Sequence, residues 1–291
     1  MRGHPHGCPR FFRPLSSNFS QRIETMTDRN FDELADRFET KLYGHWRGQI
    51  RLQLVTEALL QDANCLQQSQ PLRVLDAGCG LGQMSLLLAE RGHHITACDV
   101  SGILLERARA RIAAANPELL QHIDFHCCPL QSIGAHVEGQ FDLIIFHAVL
   151  EWLEDPRAGL QSLLPLLKPG GEMSVLFYNR HSIIFKNLLR GDFRRIDEQD
   201  FKGDSGSLTP INPLPPADVA AWLHAMSLTV TSQRGIRTFY DYMEQNLDKN
   251  KPAKASLDDI MRMEKKFSTL EPYRSLARYL LWHCRKTPEG I

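Results

Sequence analysis

Residues Val74 to Gln83 read VLDAGCGLGQ: an apolar strand end, an aspartate, then glycines at 78, 80 and 82 running into the amphipathic stretch LGQMSLLLAERG. A strand that turns through glycines into a helix leaves the backbone open to close approach, with the helix N-terminus behind it. Taken alone, a GxGxG turn fits a dinucleotide fingerprint or a purely structural turn equally well.

Working outward, short apolar runs alternate with amphipathic stretches: RVLDAG, HITACDVS, GILLERARARIAAAN, IDFHCC, FDLIIFH, GLQSLLPLLKPGG and EMSVLFYN, between Arg73 and Asn179. This alternation predicts an α/β fold with a parallel sheet covered on both faces. About 20 residues after the glycine turn, Asp99 ends the second strand, where a carboxylate can accept both hydroxyls of an adenosine ribose. That placement suits a nicotinamide dinucleotide as well as S-adenosylmethionine.

The Asp76–Gly80 loop with its leading aspartate, the acidic end of strand two, the FDLI strand and the LLKPGG turn resemble, in order, the motifs of class I S-adenosylmethionine-dependent methyltransferases. The resemblance implies a Rossmann-like fold: a seven-stranded, mostly parallel sheet with helices on both faces and one reversed strand near the end, and RYLLWHCRK is a candidate for a late strand. It also implies S-adenosyl-L-methionine as cofactor. Gly78, Cys79 and Gly80 are assigned to its methionine side and Asp99 to its ribose. Leu130, with Gln131, falls where this family lines the adenine pocket. Asp76 is read as a support for the loop. His147, ending FDLIIFH, is either a core histidine or a residue beside cofactor and acceptor. A nucleophilic Cys79 is the sharper alternative, set aside because the cofactor needs that turn.

Bulk composition adds exclusions. Lysine plus arginine balance aspartate plus glutamate at 34 each, so nucleic-acid contact requires a local patch. No stretch approaches the roughly 20 apolar residues of a membrane helix. The seven cysteines show no metal-ligand or paired spacing, no metal is expected, and they read as reduced, buried thiols of a cytoplasmic protein. Residues 1–25, rich in Pro, Arg and Ser, read as a disordered leader, with Met26 as an alternative start of translation. Residues 26–70 read as an N-terminal helical cap of two helices broken near Tyr43, residues 71–180 as the cofactor-binding core, 181–217 as a substrate-binding insertion or loop, and 218–291 as the completion of the sheet.

Three further stretches, DRNFDELADRF with KLYGHWRGQIR, FHAVLEWLEDPRAGL, and VLFYNRHSIIFKNLLRGDF with RGIRTFYDY, are similar to the bacterial tRNA 5-carboxymethoxyuridine methyltransferase family, as is the closing EPYRSLARYLLWHCRK. The similarity runs from about Asp28 almost to Arg285; the leader and the Pro-rich form of residues 203–217 depart from it. It implies methyl transfer to the carboxylate of a modified wobble uridine, with a tRNA anticodon stem-loop as partner. It also implies that Arg51, in the GQ-x-R element, reaches the cofactor, where a guanidinium suits a carboxylate; the alternative is a surface arginine on an amphipathic helix. An ionised carboxylate needs no general base, so no proton-transfer residue is expected. Candidates to hold the acceptor are Tyr178, Asn179, Arg180, Arg237 and Tyr240. Arg190, Arg194 and Arg195, interleaved with Phe185 and Phe193, are candidates for phosphate and base contacts or form a solvated helix face. The competing functions are a small-molecule methyltransferase, a non-catalytic cofactor-binding partner and, more distantly, a nicotinamide dehydrogenase.

Overall fold

The computed structural model describes residues 45–201, 210–246 and 255–287, together with Asp28, Asp32, Ala35, Asp36, Glu39 and Thr40. The expected leader, residues 1–25, lies outside the described residues, as do residues 202–209 of the expected insertion.

Seven strands form one sheet in the order β3-β2-β1-β4-β5-β7-β6. They are β1 (Arg73–Ala77), β2 (His94–Asp99), β3 (Ile123–Cys127), β4 (Phe141–His147), β5 (Leu167–Tyr178), β6 (Leu228–Ile236) and β7 (Tyr279–Lys286). All neighbours pair parallel except β7, which runs antiparallel to both β5 and β6. The late strand expected at RYLLWHCRK is β7, from its second residue onward, and it is the reversed one. Strands that are apolar on both sides need cover on both faces. Two separate clusters provide it, one around Phe141, Phe146 and Phe177 and the other around Ile50, Leu88 and Ile145.

The helices are α1 (Trp46–Asp62), α2 (Gln83–Ala89), α3 (Gly102–Ala115), α4 (Pro156–Leu163), α5 (Arg180–Arg190), α6 (Phe193–Asp197), α7 (Pro216–Ala225), α8 (Tyr240–Asn246) and α9 (Leu257–Phe267). Their starts follow local chemistry. Ser101 caps α3 by accepting from Leu104 N–H, Asp155 caps α4 ahead of Pro156, and Ser256 forms a reciprocal capping box with Asp259 on α9. The stretch expected as a loop after Asn179 is helical over α5 and α6. Of the first expected N-terminal helix, Ala35, Asp36, Glu39 and Thr40 are helical; the second is α1. Between β6 and β7, the described residues form α8 and α9.

Strand order reverses direction between β1 and β4. Crevices open beyond the C-terminal ends of strands at such a switch point. Among the described residues, no helix is long and apolar enough to cross a membrane.

Candidate active site

A cavity of about 500 Å³ opens at this crevice, within the size range of small-molecule sites. Its floor is the glycine turn. Gly78 adopts φ +75°, and a Cβ there would come within 2.4 Å of Val149 Cγ2. Gly82, at φ +70°, is less crowded: a Cβ there would come within 2.9 Å of Ala108 Cβ on α3. Both positions exclude any side chain, which lets the turn lie flat against the strand ends.

Asp99 fixes the turn from the next strand. Its two carboxylate oxygens accept from Gly80 N–H and Ser101 N–H, each at 2.9 Å. A carboxylate has about four acceptor positions, so capacity remains on the cavity side. Burial raises the Asp99 pKa, and the N–H donors oppose it. Asp76 stands behind the turn, bonded by Ser85 Oγ at 2.6 Å; burial pushes its pKa up to about 6. Cys79 is buried, and burial with Asp76 and Asp99 pushes its thiol well above the ordinary range. That shift disfavours the thiolate, the reactive form of a cysteine.

Leu130 and Cys128 supply an apolar wall, with Gln131 beside them. Asp28 bridges this side, accepting from Gln131 Nε2 at 2.9 Å and from Glu154 N–H at 2.8 Å. Arg51 enters from α1. Its guanidinium lies 5.4 Å over the Tyr279 ring and makes no hydrogen bond or ion pair among the described residues. His147 lines the cavity with Nε2 2.7 Å from Ser174 Oγ, and Nδ1 is buried without a partner among the described residues. Burial lowers its pKa to about 3, so the ring is neutral near pH 7.

The opposite end is cationic and aromatic. Tyr178 and Arg237, candidates from the sequence, line it together with Lys186, Asp241, Arg278 and Tyr279. Arg237 sits at φ +60° in the turn after β6. Glu264 holds that turn by accepting from Thr238, Phe239 and Tyr240 N–H, and Arg237 grips Asp241 at 2.8 and 2.5 Å. Arg278 Nη1 donates to the Tyr178 hydroxyl at 2.7 Å. Glu151 is fully buried on the same wall with Oε2 unpartnered among the described residues, and burial pushes its pKa up to about 7. Opposite charges four residues apart, Arg237 and Asp241, were the available sequence signal for this end.

Other expectations need correction. Asn179 does not line the cavity: its amide donates to Ser275 and Ala277 carbonyls at 2.9 and 2.8 Å, and its oxygen caps α5 at His181 N–H. Arg180 is turned to the Pro213 carbonyl and the Phe201 ring. Tyr240 packs against Trp46 instead of the cavity. Arg190, Arg194 and Arg195, expected as a patch for phosphate contact or a solvated helix face and not as cavity lining, lie on α5 and α6, where Arg194 pairs with Glu198 and Arg195 with Asp200. Cys127, expected to be buried, is exposed.

The residues present fit S-adenosylmethionine: a buried carboxylate at Asp99 with acceptor capacity to spare, a glycine turn, an apolar slot at Leu130, and Arg51, which has no hydrogen bond or ion pair among the described residues. A profile described as a methyltransferase domain matches residues 75–173. The tRNA 5-carboxymethoxyuridine methyltransferase of Escherichia coli K12 is 37% identical over 90% of this chain and 97% of its own. A ubiquinone biosynthesis O-methyltransferase of Xanthomonas axonopodis pv. citri is 29% identical over 76% of this chain and 86% of its own. Among solved structures, magnesium protoporphyrin IX methyltransferase from Synechocystis with bound SAM shares the fold at TM-score 0.56 and 14% identity, covering 93% of this chain and all of that one. The N-methyltransferase NodS from Bradyrhizobium japonicum does so at 0.52 and 17%, over 89% of this chain and 99% of that one. With this identity over nearly its whole length and this cofactor cradle, the chain belongs to the tRNA 5-carboxymethoxyuridine methyltransferase family and is an S-adenosylmethionine-dependent methyltransferase.

Proposed function

We propose that the enzyme methylates the carboxylate of 5-carboxymethoxyuridine at the tRNA wobble position, giving the methyl ester, and that it engages the anticodon stem-loop in the cytoplasm. The observation that carries this reading is the two-ended cavity, with an acidic, apolar cofactor cradle at Asp99 and Leu130 and a cationic end at Lys186, Arg237 and Arg278. A carboxylate acceptor needs positive charge opposite the cradle.

When bound, S-adenosylmethionine would supply a sulfonium methyl to an acceptor oxygen, with sulfur keeping the electron pair of the broken C–S bond and no proton to be moved. The protein's own contribution is alignment and exclusion of water. Gly78, Cys79 and Gly80 with Arg51 hold the methionine side, Asp99 the ribose and Leu130 the base. His147, neutral and tied to Ser174, forms a wall between the two ends that adds no charge. Tyr178 and Arg237 face the acceptor, while Arg190, Arg194 and Arg195 meet the tRNA backbone.

The test is methyl transfer from labelled S-adenosylmethionine to tRNA carrying 5-carboxymethoxyuridine, with the same tRNA lacking the carboxylate as control, followed by nucleoside mass analysis. A methyl ester formed only on the carboxylated tRNA is expected. No transfer to it would sink this reading and leave a small-molecule acid as the acceptor to try next.

A further inference from the structure

The acceptor end carries more positive charge than its carboxylates neutralise. Four cations line it, Arg47, Lys186, Arg237 and Arg278, against Asp241 and Glu244. Arg47 is paired with Glu244, and Arg237 holds Asp241 with both arms. Arg278, 6% exposed, reaches Asp241 only at 3.4 Å. Lys186 is half-buried on α5 and makes no hydrogen bond or ion pair among the described residues. The charged groups acting on it are Arg278, Arg190 and Arg47, with Asp241 as the single anion. An ammonium withdrawn from water among three guanidiniums is unfavourable unless an anion arrives beside it.

Building on the proposed reaction, we infer that Lys186, backed by Arg278, selects the acceptor carboxylate over a neutral uridine. Holding one carboxylate oxygen in a charge-assisted hydrogen bond leaves the other to attack. A tRNA without the carboxylate leaves the half-buried Lys186 ammonium without an anion beside it, which is how a polar site rejects an analogue lacking its partner group. Burial, reinforced by Arg278 and Arg190, lowers the Lys186 pKa to about 8. The ammonium is present below that pH, so kcat/KM for the carboxylated tRNA falls as pH rises through about 8.

The experiment compares wild type, Lys186→Gln and Lys186→Arg on tRNA with 5-carboxymethoxyuridine and on the same tRNA with unmodified uridine. It reads cofactor affinity by calorimetry, KM and kcat against pH, and the ratio of the two tRNA affinities. Lys186→Gln is expected to keep cofactor affinity, raise KM about tenfold or more and lose the preference for the carboxylate. Lys186→Arg restores the preference and abolishes the alkaline fall. A wild-type preference and KM in Lys186→Gln would overturn the inference while leaving the reaction standing. So would parallel loss of cofactor affinity that Lys186→Arg does not repair. Absence of transfer by wild type removes the reaction itself, and the inference with it.

Discussion

The Arg278 guanidinium donates to the Tyr178 hydroxyl at 2.7 Å, joining the last residue of β5 to the residue just before β7. Arginine can only donate, so this hydroxyl accepts, and its own hydrogen remains available to the cavity. Tyr178→Phe removes that donor and leaves Arg278 short of a partner. Steady-state kinetics should show kcat/KM for carboxylated tRNA lowered by about 1–2 kcal/mol, with unchanged cofactor affinity.

At the other end, Gly78→Ala must place a methyl 2.4 Å from Val149 Cγ2 on a backbone at φ +75°. Overpacking and strain together predict a loss of about 1–3 kcal/mol in denaturant unfolding, and the displaced turn should abolish calorimetric cofactor binding. Wild-type affinity in this variant would show that the turn does not touch the ligand.

Asp99→Ala removes the acceptor for Gly80 and Ser101 N–H as well as the ribose seat. Cofactor affinity should fall by about 2–3 kcal/mol. Unchanged affinity by calorimetry would refute the ribose assignment.

Asp241 yields a pH prediction. Burial alone would raise its pKa, but Arg237 and Arg278 outweigh burial and hold it well below the usual carboxylate range. A depressed folded pKa contributes stability that is present above the unfolded value near 4 and lost as pH falls below it. Asp241→Asn leaves two buried guanidiniums uncompensated and should cost about 3–5 kcal/mol at pH 7. Urea unfolding should show the gap from wild type closing as pH drops below about 4.

Charge reversal at Arg190, Arg194 and Arg195 should weaken tRNA binding and leave cofactor affinity unchanged. Arg194 and Arg195 are already paired with Glu198 and Asp200. The salt dependence should therefore lose only about one or two units of slope in a binding titration. Loss of cofactor affinity as well would indicate a folding defect.

The cofactor half of the site was legible because it is local. One strand, one turn and the next strand end carry Gly78, Gly80 and Asp99 within 22 residues, and strand-helix alternation gives their geometry. The acceptor half is not local. Arg278 and Tyr279 reach Tyr178 only because β7 runs backwards between β5 and β6, a register that no short pattern encodes. Lys186 sits in a helix where the sequence was read as a loop. Asn179 shows the converse limit: its position after β5 is correct, yet carbonyls 275 and 277 claim its amide, and they approach only through that same reversed strand.

The placement of β7 also sets an order of assembly during synthesis. Each of β2, β3, β4 and β5 pairs with a strand already made, whereas β6 pairs only with β7. A nascent chain extended to Ile236 would therefore have an open β5 edge and a stray β6. The cavity lining is complete only once Arg278 and Tyr279 have been made. A chain cut short before them would offer its unpaired strand edges to neighbouring chains, making aggregation the expected fate of truncated products.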